Sequence, residues 1–68
     1  MRIVTLKPAF SGPTAGYMAV EVERVEDEWG PDEFVDDELR QGPFSDALLV
    51  AHTKAIEWAQ ELRLPFRG

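Results

Sequence analysis

Four alanines recur at every fourth position near the C-terminal end: Ala47, Ala51, Ala55 and Ala59. At about 100° per residue this spacing draws a ridge of methyl groups along one side of an α-helix. Leu48, Trp58 and Leu62 fall within the same stripe, which is ~120° wide. A helix with so small a ridge can sit close to a flat neighbour, and a β-sheet is the neighbour that the rest of the chain offers. The helix is expected from Asp46 to about Arg63. Ser45 is the expected N-cap, Asp46 suits the positive end of the helix dipole, Arg63 suits the negative end, and Pro65 stops the helix. Leu49 and Ile56 fall outside the stripe, about 100–140° from its centre. They mark this flank as a contact with another element, a second subunit or a partner.

The N-terminal half supplies the sheet. Residues 2–6, RIVTL, are β-branched and apolar and read as a first strand. Residues 7–16, KPAFSGPTAG, hold two prolines and two glycines and read as a loop, too long for a tight hairpin. Residues 17–25 read as a second strand, with Met18, Val20 and Val22 on one face and Ala19, Glu21 and Glu23 on the other. Val25 breaks that alternation, so the strand ends near Glu23 or bulges there. Gly30-Pro31 is a turn. Residues 31–39 read as a short helical turn or an irregular stretch. A third strand across 37–41 would precede Gly42-Pro43.

The expected fold is therefore α+β in a single domain over residues 1–68. It is a small antiparallel sheet of two or three strands with one C-terminal helix packed on one face, in the order β-β-(β)-α. Two strands alone are marginal in water, so the helix is needed for stability. A 68-residue chain buries about 60% of the surface that its unfolded form exposes.

Cys is absent and His52 is the lone histidine, which excludes disulfides and Cys- or His-rich metal centres within one chain. His52 lies at the edge of the helical stripe and reads as structural or surface. No Gly-rich phosphate loop occurs. The acidic run lacks the spacing of a calcium loop. No cofactor, no metal site and no catalytic set is expected, and the chain reads as non-enzymatic. No stretch resembles a signal peptide or approaches the ~18 apolar residues of a membrane span, so a cytoplasmic location is expected.

Charge is the remaining signal. Between Val20 and Leu39 stand ten acids and one base, Arg24, a local net charge of −9. The other residues hold three acids and six bases, a net +3, which together give the overall −6. The acids are Glu21, Glu23, Glu26, Asp27, Glu28, Asp32, Glu33, Asp36, Asp37 and Glu38, and Trp29, Phe34 and Val35 lie among them. An aromatic anchor ringed by charge combines affinity with steering. The segment is expected to face a protein partner with a basic surface, with Trp29 and Phe34 contributing. In its most specific form it imitates nucleic-acid phosphates and occupies a nucleic-acid-binding groove. The bases are scattered, so direct nucleic-acid or membrane binding is not expected. The competing expectation is a structural homodimer closed through Leu49 and Ile56.

Overall fold

The computed structural model describes residues 1–26 and 34–67, with Glu26, Phe34 and Val35 described in backbone only. Three antiparallel strands form one sheet in the order β1-β2-β3: β1 (Arg2–Ser11), β2 (Thr14–Glu26) and β3 (Phe34–Ser45). One helix, α1 (Leu48–Leu62), follows and packs on the sheet. The α+β architecture and the third strand match the sequence reading. No described helix is long and apolar enough to cross a membrane.

The first two strands are longer than their propensities suggest. Residues 7–16 are not a loop. Pairing runs without interruption from Arg2↔Glu23 to Ser11↔Thr14, and a two-residue turn, Gly12-Pro13, closes the hairpin. Gly12 takes a positive φ of 59° there. Pro8 is tolerated because β1 is an edge strand, where a missing N–H need not break a ladder. At the far end β2 continues to Glu26 and pairs with Phe34, so the strand does not stop at Glu23.

β3 carries the irregularities. Between Met18 and Val20 of β2, and again between Glu21 and Val22, the facing stretch of β3 holds one extra residue. The first bulge lies at Gly42-Pro43 and the second at Leu39. Each interrupts the strict alternation of β3 and re-aims the residues beyond it. A Cβ on Gly42 would lie 2.6 Å from the Trp58 ring, so this bulge also makes room for the indole.

The two faces of β2 have different covers. On one face Val4 and Ala19 meet Ala55 and Ala59 of the helix, with Leu6, Trp58, Leu62, Leu64 and Phe66 around them. The small residues of sheet and helix face each other here, which allows the close approach implied by the alanine ridge. On the other face Ile3, Val20 and Val22 form a second buried cluster, joined by Met18.

The ends of α1 differ from the sequence reading. Ala47, not Ser45, is the residue before the helix, and no side chain caps it. The Ser45 hydroxyl instead accepts the Ala47 N–H at 3.2 Å, which tightens the turn leading in. At the other end Arg63 adopts the left-handed conformation, φ 58°, while Leu64 N–H donates to the Ala59 carbonyl. That closing turn sends the chain back along β1. Val4 donates to the Pro65 carbonyl at 2.9 Å and Arg67 donates to the Val4 carbonyl at 2.8 Å. Phe66 thereby forms a parallel bridge with Val4 and covers part of the outer edge of β1.

Candidate functional site

Antiparallel pairing folds the acidic segment back on itself. Glu23 faces Asp37, Arg24 faces Asp36, and Val22 faces Glu38. Carboxylates well separated in the chain, Glu23 against Asp36, Asp37 and Glu38, thus gather at one end of the sheet. Asp27, Glu28, Trp29, Asp32 and Glu33 lie outside the described residues, as do the side chains of Glu26 and Phe34.

The sheet also brings cations to these acids. Arg24 grips Asp36 with two parallel hydrogen bonds of 2.7 Å, Nε to Oδ1 and Nη2 to Oδ2. This forked geometry is the strong form of an ion pair. It holds the Asp36 carboxyl below its ordinary pKa and raises Arg24 above its own. Lys7 of β1 reaches over β2 to donate to Glu38 of β3, and Gln41 donates to the other Glu38 oxygen at 3.0 Å. These two hydrogen bonds hold the Glu38 carboxyl low as well. The N-terminal ammonium donates to Glu23 at 3.0 Å, with Arg2 also nearby. Glu21 is buried on the helix side of the sheet, 3.5 Å from Arg40.

The count of −9 therefore overstates the charge that the strands display. Arg2, Lys7 and Arg40 lie outside the acidic segment in sequence and against it in space. Among the described strand acids, Asp37 has no cationic partner. It is exposed, and it directly faces Glu23 across the strands.

On the face away from the helix the two ion pairs flank a recess of about 310 Å³. Its floor is Thr5, Val20 and Val22, and its rim is Lys7, Arg24, Asp36 and Glu38. The cations and anions of that rim satisfy one another, so the recess has an apolar base and an internally neutral wall. Among the described residues no group of three or more carboxylates or imidazoles is placed to hold a metal ion. His52 is exposed, with its ring edge-on to Phe66 at 4.9 Å.

The two flank residues separate. Leu49 is 82% exposed, whereas Ile56 is half-buried. Leu48, placed by its spacing in the core stripe, is instead 52% exposed. The sequence reading did not single out the partners of the acids. Lys7 and Arg2 carry no local signal, since only the strand register sets them opposite Glu38 and Glu23.

The chain matches no family model, and no curated protein or solved structure is similar to it. The fold and the surface geometry define it as a small α+β domain with an acidic end.

Proposed function

We propose that this is a non-enzymatic binding module whose acidic end docks on a basic surface of a protein partner. The observation that supports this reading is the β2–β3 register. It sets Glu23 opposite Asp37, next to Asp36 and Glu38, at the end of the sheet beyond which the sequence holds four more acids in residues 27–33. Pairing with Arg24, Lys7 and the N-terminus fixes part of this array in place. Fixed charges steer a partner at less entropic cost than charges on a flexible tail. In its most specific form the array stands in for the phosphates of a nucleic-acid strand in a cationic groove.

The test is capture of basic proteins at low salt by the wild type and by a variant carrying Asp27→Asn, Glu28→Gln, Asp32→Asn, Glu33→Gln and Asp37→Asn. These positions avoid Glu21, Glu23, Asp36 and Glu38, whose ion pairs hold the sheet. For a partner retained by the wild type, affinity is expected to fall by a factor of about ten or more in the variant and to fall steeply with salt. Unchanged binding overturns the proposal. Duplex DNA added in excess should displace the wild type if the partner's groove is a nucleic-acid site. Binding that DNA leaves intact removes the mimicry form and keeps the module.

A further inference from the structure

The opposite end of the molecule is almost without charge. In residues 8–17 and 42–53 the one formal charge is Asp46, with His52 taken as neutral. The fold brings these two stretches together. Tyr17 pairs with Ser45, so the hairpin tip and the start of α1 share one end of the sheet. The hairpin extends three residues past the end of β3, and it meets Asp46, two residues before α1, in a recess of about 420 Å³. Pro8, Phe10, Ala15, Tyr17 and Asp46 line that recess. Phe10 is 77% exposed, and the first turn of the helix displays Leu48, Leu49 and Val50.

We infer that this end is a self-interface and that its occupant is a second copy of the chain, with Leu49 of each copy seated in the other's recess. Three observations select a second copy. First, knob and hollow lie on the same end of one molecule, as a two-fold isologous contact requires, since each surface must complement itself. Second, the negative charge of the chain is concentrated in residues 20–39, so two copies that meet away from that segment avoid its repulsion. Joining this end leaves the two acidic ends pointing apart. Third, Phe10 lines the recess, and Leu48, Leu49 and Val50 follow its lining residue Asp46 by two to four positions; all four are large apolar side chains left exposed, the composition of an interface centre. The proposed contact keeps Leu49 of the flank expected from sequence and takes Phe10 in place of Ile56, which is half-buried. The inference is independent of the proposed function, because the two surfaces sit at opposite ends of the sheet.

The experiment is sedimentation equilibrium of the full chain from low micromolar to near-millimolar concentration, at low and high salt. A dimer is expected that high salt preserves or tightens, because salt screens the remaining repulsion between copies. Leu49→Asp and Phe10→Asp should each weaken it by about 30-fold or more, because each change enters the symmetric contact twice. Far-UV circular dichroism establishes that both variants remain folded. The chain has no Cys, so chains carrying Leu49→Cys mixed with chains carrying Ala15→Cys should form one disulfide-linked heterodimer under mild oxidation. A monomer at every concentration overturns the inference. So does a dimer that high salt dissociates, or one that both substitutions leave intact.

Discussion

Single residues show where this small fold has no slack. Gly42 sits under the Trp58 ring, and its missing side chain is what lets the indole lie on the strand. Gly42→Ala places a methyl group 2.6 Å from an aromatic carbon, so either the ring or the bulge must shift. The expected cost is about 1–3 kcal/mol, the range for overpacked cores, read as a lower urea midpoint with an unchanged slope. Arg63 is the converse case. A non-glycine residue in the left-handed region costs roughly 1–2 kcal/mol relative to the right-handed one. Glycine is the preferred residue at such a helix end. Arg63→Gly should therefore stabilise the chain by up to about 1 kcal/mol in the same measurement, despite the loss of a charge suited to the helix terminus.

At the level of elements, the ion pairs fasten β3 to the rest of the sheet. A double-mutant cycle on Arg24 and Asp36 should return a coupling of about 0.5–1 kcal/mol, since the pair is forked but lies near the surface. The pH dependence has a definite sign. Asp36 and Glu38 are held below their ordinary values in the folded chain by Arg24 and Lys7. Their contribution is thus complete above the unfolded carboxylate range, about pH 4, and is lost as the pH falls through the lowered folded values. Melting temperature should drop on going from neutral pH into that acid range. The drop should be smaller in a Lys7→Met, Arg24→Met variant, whose Asp36 and Glu38 carboxyls lose the cations that lower them. An equal drop in both proteins would place the acid sensitivity elsewhere. The alanine ridge makes a parallel statement about packing. Ala55 is fully buried against Val4 and Ala19, so Ala55→Leu should destabilise by about 1–3 kcal/mol although it raises helix hydrophobicity.

For the whole molecule, the acidic strand ends and the nearly uncharged recess lie at opposite ends of one sheet, and apolar surface is exposed at both, by Met1, Val25 and Leu39 at the first and by Phe10, Leu48, Leu49 and Val50 at the second. The carboxylates gather where β2 and β3 join, and the uncharged recess forms where β1 and β2 turn and α1 begins. The long central strand separates them, so the two proposed contacts use different surfaces and respond to salt differently. Added salt should weaken capture of a basic partner while leaving self-association intact, and a single titration monitoring both quantities tests the segregation.

The sequence by itself determined the elements that depend on neighbours close along the chain. The alanine ridge at fourfold spacing marked α1, and Met18, Val20 and Val22 marked one face of β2, because helix and strand periodicities span a few residues. The third strand was visible only around 37–41, since Gly42-Pro43 reads as a break until the bulge that holds it is seen. Residues 7–16 read as a loop because Pro and Gly weaken local propensity, yet pairing with β2 made most of them strand. Tertiary structure alone decided which face of β2 the helix covers, that Lys7 and Arg2 offset Glu38 and Glu23, and that Phe10 lies beside the start of α1. The residues of each of these pairings stand 20 or more positions apart. Their proximity is set by strand register and chain reversal, and no local pattern of side chains records either.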